Sequence, residues 1–125
     1  MARTAVTVTT ATPGTAYNTP AGTDADPTND HVITLPAGAM LEEMSIRLTN
    51  TNGSDRVATI KAGDNPPALS AGQGDKDITV PATSGDVTIS GLESARYLQD
   101  DGTLLIDLAA SFAGKVRAVW NKRTV

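Results

Sequence analysis

The sequence has no cysteine, one histidine and only four aromatic residues in a chain of 125. The lack of cysteine excludes disulfides and thiolate metal sites. Most of the side chains that usually carry out acid–base, nucleophilic or metal chemistry are therefore missing. We expect a protein that is not an enzyme, that uses no metal and no cofactor, and that acts by contact with a partner.

Long hydrophobic runs are also missing. No apolar stretch approaches the ~20 residues of a transmembrane helix. Residues 1–20 do not show the basic segment followed by an apolar one that marks a secretory signal. We therefore expect a soluble chain that is made in the cytoplasm and that binds no membrane.

Basic residues are concentrated at one end of the chain. The net charge is −4, yet residues 115–125 contain Lys115, Arg117, Lys122 and Arg123 and no acid, so the other residues carry −8. A nucleic-acid footprint needs a basic face, and nucleic acid is therefore not an expected partner of the body of the protein. The basic end is either a contact for an acidic protein surface or a solvated last strand and tail.

The abundant residues favour β-structure. Threonine and alanine each occur 18 times, and β-branched residues recur at every second position, which is typical of extended strands. Turn signals at roughly 8–12-residue spacing separate short strands. The sequence predicts an all-β fold, namely a single antiparallel β-sandwich, jelly-roll-like, of about eight strands. The predicted strands are 4–10, 31–35, 40–50, 56–61, 76–80, 86–90, 94–99, 115–121 and one that contains Leu104, Ile106 and Leu108.

The alternation also predicts which side chains face the core. They include Met44, Ile46 and Leu48, then Ala58 and Ile60, Ile78 and Val80, Val87 and Ile89, and finally Val116, Ala118 and Trp120. Residues 50–54 read Asn-Thr-Asn-Gly-Ser, a strong turn signal, so 40–61 is the clearest hairpin. Residues 94–99 are interpreted as a short edge strand.

The N-terminal part differs in composition from the rest. Residues 11–29 are rich in proline, glycine, threonine and aspartate, and a connection of this length is usually functional or mobile. We divide the chain into an N-terminal strand with an extended, flexible arm (1–29) and a β-sandwich domain (30–125). The strand at 4–10, with Val6 and Val8 on one face, either pairs with a neighbouring sheet or pairs within its own domain.

Two groups of polar residues are candidates for chemistry. Asp24, Asp26 and Asp30 could offer oxygen ligands to calcium, but their spacing does not match an EF-hand loop and aspartates are also common in turns. Whether they bind a cation stays open, with a turn favoured. His31 shares a strand face with apolar residues, and we interpret it as a structural or surface histidine.

Large and basic side chains are the candidates for partner contact. Arg96 and Tyr97 are adjacent on the predicted edge strand, and arginine and tyrosine are enriched at interfaces. Tyr17 lies in the arm. The complete set of candidate partner-binding residues is Val6, Val8, Tyr17, Arg96, Tyr97, Arg117, Lys122 and Arg123.

Several segments resemble those of a known family. They read LPAG at 35–38, IKAGDNPPA at 60–68, GLESARYLQDDGTLLID at 91–107 and GKVRAV at 114–119. Over roughly residues 30–125 the chain resembles head decoration, or cement, proteins of tailed bacteriophages. The resemblance implies a β-rich domain bound to the major capsid protein outside an icosahedral shell, often as a homotrimer, with an extended N-terminal arm and no catalytic residues.

The expected function is therefore that of a virion structural protein on the capsid exterior, which stabilises the shell. Two alternatives stay open. One is another phage structural component of the tail, baseplate or fibre, and the other is a carbohydrate-binding β-sandwich module.

Overall fold

The computed structural model describes residues 2–64 and 74–123, and it confirms the all-β prediction. The described residues form ten strands, a 3-10 turn (Leu41–Glu43) and a four-residue helix, α1 (Ser94–Tyr97). No helix in these two ranges is long enough to cross a membrane. The strands are β1 (Thr4–Ala5), β2 (Val8–Ala11), β3 (Thr23–Asp24), β4 (His31–Thr34), β5 (Met44–Asn50), β6 (Arg56–Ile60), β7 (Lys76–Val80), β8 (Gly85–Ser90), β9 (Thr103–Leu108) and β10 (Lys115–Asn121).

The strands form two sheets that enclose the core. The first sheet has the order β1-β4-β9-β6-β7. The second has the order β2-β10-β5-β8, and β3 also lies beside β10. Most neighbouring strands are antiparallel, but β1 runs parallel to β4 and β2 runs parallel to β10. The purely antiparallel sandwich of the sequence prediction is therefore corrected to a sandwich of two mixed sheets.

Both parallel pairs arise because the N-terminal segment changes sheets. The predicted single strand 4–10 is in fact two strands, β1 in the first sheet and β2 in the second. Between them, the Val6 N–H donates to the Val32 carbonyl at 2.9 Å, and the Val6 side chain enters the core. In this conformation the segment pairs within its own chain, one of the two alternatives that the sequence left open. Strands β1 to β3 belong to the same two sheets as the strands of 30–125.

The hairpin predicted for 40–61 is wrong. Strand β5 pairs with β10 and β8 in the second sheet, whereas β6 pairs with β9 and β7 in the first. The connection at residues 51–55 therefore crosses from one sheet to the other. The residues between β7 and β8 cross back. Period-2 alternation does not distinguish the two cases, because apolar side chains on either sheet face the same core.

Asn50 holds these two crossings together from a buried position at the end of β5. Its Nδ2 donates to the carbonyls of Ser54, Val80 and Pro81 at 3.0, 3.1 and 3.2 Å. Its Oδ1 accepts the Asn52 N–H at 2.9 Å. One side chain thus bonds the backbone of both crossing segments.

The core confirms most of the predicted inward faces. The fully or nearly fully buried side chains of β5, β6, β9 and β10 are Met44, Ile46, Leu48, Ala58, Ile60, Leu104, Ile106, Leu108, Val116, Ala118 and Trp120. Val80 of β7 is buried with them, while Ile78, Val87 and Ile89 pack against the cluster and are partly buried. The core is mainly aliphatic, with Tyr97, Phe112 and Trp120 as its aromatic members, and its stability rests on close packing of the two sheets.

Two local predictions are corrected. Residues 94–97 were predicted as part of an edge strand, but they form α1. The Glu42 carboxylate accepts hydrogen bonds from the Ser94 N–H at 2.9 Å and from the Ser94 hydroxyl at 2.6 Å, and these bonds fix the start of the helix. The strand predicted from residue 40 begins at Met44, after the 3-10 turn. There the Glu43 carboxylate accepts the Met40 N–H at 3.2 Å, and Leu41 is buried.

Candidate protein-contact surface

The outer face of the second sheet carries a groove with a volume of about 210 Å³. Strands β5, β8 and β10 form its floor, and the chain segment that leads from β2 to β3 forms one wall. We call it the Tyr17 groove. Its lining residues are Tyr17, Thr19, Pro20, Ser45, Arg47, Thr88, Arg117, Val119 and Asn121.

The position of this wall follows from the pairing of β10, because two strands, β2 and β3, pair with the same edge of β10. The C-terminal half of β10 pairs with β2, and its first two residues pair with β3. The segment at 12–22 must therefore leave the edge of the sheet and return to it. Gly22 allows the return, because it has a φ of +92° and a Cβ there would lie 2.9 Å from Cγ of Arg117. Arg117 then donates from Nε to the Pro20 carbonyl at 3.0 Å.

Two arginines face each other on the floor of the groove. Arg117 of β10 is directly opposite Arg47 of β5, which is in turn opposite Thr88 of β8. Arg47 is bound by Asp86, through Nε at 2.7 Å and Nη2 at 2.5 Å. These hydrogen bonds lower the pKa of the Asp86 carboxyl against a smaller effect of burial, and the charges of Arg47 and Arg117 lower it further. One arginine is thus neutralised and the other is not.

Arg117 has an unfilled donor. Its Nη1 is shielded from solvent and has no hydrogen-bond acceptor among the described residues. A buried donor without a partner costs roughly 1–3 kcal/mol, and more when it is charged. Lys115, two residues earlier on the same face, is already paired with Asp24. Arg117 is therefore the cation of this face that a negatively charged group would bind.

The structure brings together some of the predicted contact residues. Tyr17 and Arg117 both line the groove, and Tyr17 is 47% exposed. Arg123 lines an adjacent cleft and contacts Glu43 at 3.5 Å. Lys122 lies next to it in sequence, with its Nζ 5.7 Å from the centre of the Trp120 ring.

The other four predicted contact residues lie elsewhere. Val6 is 5% exposed in the core, and Val8 packs against the core on the inner face of β2, so neither side chain is presented outward. Arg96 and Tyr97 are on α1, not on an edge strand. The Arg96 guanidinium lies 4.7 Å from the centre of the Tyr97 ring, and Tyr97 is itself buried.

The sequence interpretation missed the floor of the groove. Arg47 lies between the predicted inward residues Ile46 and Leu48, so the alternation implies that it faces outward, as it does, but nothing in the sequence sets it opposite Arg117. Ser45, Thr88 and Asn121 complete the floor. Their alternation with apolar neighbours signals an outward face. Which outward faces adjoin depends on strand order, which the sequence does not contain.

The three aspartates that could have formed a cation site act separately. Asp24 pairs with Lys115, and Asp30 accepts the Leu108 N–H at 2.8 Å. Asp26 accepts the Thr4 hydroxyl at 2.6 Å as well as both the backbone and side-chain N–H groups of Asn29, and these bonds lower its pKa to about 2. In the two described ranges no three His, Cys, Asp or Glu side chains come together as metal ligands would.

His31 is a structural residue at full burial. Its Nε2 accepts the Asp26 N–H at 3.0 Å, and its Nδ1 lies 3.2 Å from the Thr4 carbonyl. This arrangement requires a neutral ring that donates from Nδ1. Burial lowers the pKa of His31, and the hydrogen bond to Thr4 opposes that shift. The ring joins β1 to the turn before β4.

Comparisons of the chain with protein-family models, with curated proteins and with solved structures found no match. A functional assignment therefore rests on the sequence and on the geometry of the groove.

Proposed function

We propose that this protein is a virion structural protein that binds the outside of an icosahedral phage capsid and stabilises it. Its partner is the major capsid protein, and it acts as a homotrimer on the capsid exterior. The resemblance of residues 30–125 to head decoration proteins supports the proposal. The β-sandwich is compatible with it.

The observation that carries the proposal is that the side chains suited to proton transfer are engaged in hydrogen bonds within the fold. His31, Asp26 and Glu42, the kinds of groups that carry out proton transfer elsewhere, are held by hydrogen bonds that build the fold. The outer face of the second sheet, by contrast, has a groove lined by an exposed aromatic ring, Tyr17, and by Arg117, which has no ion pair among the described residues. Arginine and tyrosine are enriched where proteins meet. The geometry therefore favours a contact function.

A contact of modest strength is sufficient for this role. A protein that binds the assembled shell and not its separated subunits stabilises the shell by mass action. Several sites on one trimer bind the same particle, so the combined affinity exceeds that of each site. A rigid sandwich suits this role because little order has to be gained on binding.

The test is binding to purified shells. Particles that lack the protein are mixed with it at micromolar concentration and sedimented, and the bound copies per particle are measured. We expect saturation at a fixed ratio and a higher temperature of particle disruption. Protein that stays in the supernatant at all concentrations would refute the proposal.

The trimer is tested separately by light scattering of the free protein. We expect the mass of three chains at micromolar concentration. A monodisperse monomer would contradict the trimer and leave shell binding to be tested by sedimentation.

Carbohydrate binding is a second candidate, and the exposure of Tyr17 favours it. An exposed tyrosine beside Ser45 and Asn121 offers a ring for stacking and polar groups for hydroxyls. Screening the protein on a glycan array distinguishes the two. Binding that disappears in Tyr17→Ala, while the variant stays folded, would favour the carbohydrate candidate.

A further inference from the structure

We propose that the Tyr17 groove binds the carboxylate side chain of an acidic segment on the shell protein, with Arg117 as the anchoring residue. The inference rests on the proposed function for the identity of the partner. The chemistry of the groove, namely recognition of a carboxylate on a peptide, is argued from the groove itself.

The first argument is the balance of charge. Like charges directly opposite each other on paired strands destabilise a sheet, and here Arg47 and Arg117 are opposite. Asp86 compensates one of them through two hydrogen bonds. Arg117 gives one bond to the Pro20 carbonyl and keeps Nη1 without an acceptor among the described residues. The groove therefore has one positive charge in excess, and it is the charge of Arg117 that lacks a carboxylate partner among the described residues.

This balance selects a carboxylate over a phosphate. Arginine presents a planar fork that matches either group. A phosphate monoester carries about −1.5 to −2 charges at neutral pH. It would bring a surplus negative charge close to Asp86, whose carboxylate is already ionised. A carboxylate carries a single charge, which equals the excess in the groove.

The volume of the groove is sufficient for one acidic side chain and too small for a drug-sized molecule. At about 210 Å³ it is smaller than the ~300 Å³ at which pockets for drug-sized molecules begin. One acidic side chain can enter with its carboxylate toward Arg117. Its methylene groups would then contact the Tyr17 ring, which offers an apolar face beside a polar edge. The neighbouring residues of the segment would lie across Ser45 and Thr88.

We assign the carboxylate to another protein, because nearly all of the chain's own acids are engaged. Within residues 2–64 and 74–123, thirteen of the 14 acidic residues, all except Glu93, take part in a hydrogen bond, an ion pair or another electrostatic interaction. The bonds are those of Asp24, Asp26, Asp30, Glu42, Glu43, Asp55, Asp64, Asp75, Asp77, Asp86, Asp101 and Asp107. Apart from the exposed Glu93, any acid of a second copy would have to give up one of these interactions to fill the groove.

The experiment is an NMR titration of the full chain with a blocked peptide, acetyl-Gly-Ser-Glu-Ser-Gly-amide. The matched control is the same peptide with glutamine in place of glutamate. We expect saturable amide shifts at Tyr17 to Thr19, Arg47, Thr88 and Arg117 with the glutamate peptide, and none with the glutamine peptide. Arg117→Gln should weaken binding roughly 10- to 100-fold, the equivalent of the ~1.5–3 kcal/mol of a hydrogen bond to a charged group.

Lys76→Gln is the matched variant, because it removes one positive charge from an exposed position on β7, in the first sheet, and Lys76 does not line the groove. It should bind the glutamate peptide as the natural protein does. Equal losses in both variants would mean that net charge, and not the groove, attracts the peptide. That result would overturn the proposal, as would the absence of saturable shifts at ~10 mM peptide, where a dissociation constant in the millimolar range would be seen.

Three further outcomes would also overturn it. Larger groove shifts with inorganic phosphate than with the peptide would identify a phosphate site. Groove shifts with neutral sugars would identify a carbohydrate site. Groove shifts that grow with protein concentration alone would identify a second copy as the occupant.

Sedimentation with shells separates this inference from the proposed function. If the natural protein and Lys76→Gln bind shells and Arg117→Gln binds at least about tenfold more weakly, both stand. If all three bind equally, the function stands and the groove inference is refuted. If none binds, the proposed function and the shell as the source of the carboxylate are refuted together, while the peptide titration still decides whether the groove takes a carboxylate.

Discussion

Replacing Asn50 by alanine should destabilise the protein more than any comparable change of a surface amide. The substitution removes three hydrogen bonds that Nδ2 gives to carbonyls and one that Oδ1 accepts. The bond to Val80 is fully buried, and the other three are partly buried. An unfilled buried group costs about 1–3 kcal/mol, whereas groups that water can reach cost less. We therefore expect a loss of about 2–4 kcal/mol in the free energy of unfolding.

The loss can be converted to a melting temperature. The entropy of unfolding is about 2.1 cal/mol/K per residue, so 1 kcal/mol corresponds to about 4 °C in a chain of 125 residues. The melting temperature should fall by about 8–16 °C, measured by calorimetry and by urea denaturation. Asn50→Asp should be at least as destabilising at pH 7, because it keeps the volume and replaces the donor by a negative charge facing carbonyl oxygens.

Asn121→Ala is the control. Asn121 is exposed and gives one bond, to the Ser45 hydroxyl at 2.9 Å. Its removal should cost less than about 0.5 kcal/mol. If Asn50→Ala were equally mild, the crossings between the sheets would not depend on this side chain, and the reasoning would be refuted.

Three further predictions follow from buried or close-packed positions. The free energy of unfolding should fall as the pH drops from 7.5 towards 5.5, because burial lowers the pKa of His31 below its unfolded value of 6.5 and the unfolded chain takes up the proton first. Urea denaturation at several pH values should show a smaller dependence of this free energy on pH in His31→Gln. An equal dependence in the variant would contradict the argument. Val6→Ala should cost about 1.5–3 kcal/mol in the same assay, because it removes buried methyl groups, and a loss below 0.5 kcal/mol would mean that the N-terminal segment does not pack as described. Gly114→Ala should lower the free energy of unfolding by at least ~1–3 kcal/mol or prevent folding, because its Cβ would lie 2.1 Å from the Thr49 carbonyl oxygen. The control is Gly53→Ala, which has open space around it and should change the melting temperature little.

The inward faces of the strands were predictable because they depend on local alternation alone. Ile46 and Leu48 alternate with Arg47 in β5, and Val116 and Ala118 alternate with Arg117 in β10, and in both strands the apolar members are buried. Apolar residues at every second position lie on the same face of a strand, and that face packs against the core whichever sheet the strand joins.

The partners of the strands were not predictable in the same way. Residues 50–54 carry a turn signal whether the chain folds back within one sheet or crosses to the other sheet. The crossing is fixed by hydrogen bonds from Asn50 to the carbonyls of Val80 and Pro81, which are 30 and 31 residues away in sequence. Helix α1 likewise depends on Glu42, 52 residues before Ser94. Contacts of this range leave no periodic pattern.

The groove shows the same limit. Tyr17 and Arg117 were both candidates for contact, but nothing in the sequence placed them together. Their meeting depends on β2 and β3 sharing one edge of β10, and on Gly22 passing close to Arg117. The outward residue Arg47 was visible as such, and its place opposite Arg117 follows from strand order.

The most direct measurement is electron cryomicroscopy of capsids assembled with and without this chain. We expect added density on the outer surface that accommodates the β-sandwich, with the outer face of the second sheet, and Arg117 in it, turned toward the shell. Maps that are identical on the outside would contradict the central claim that this protein works by lying on a capsid.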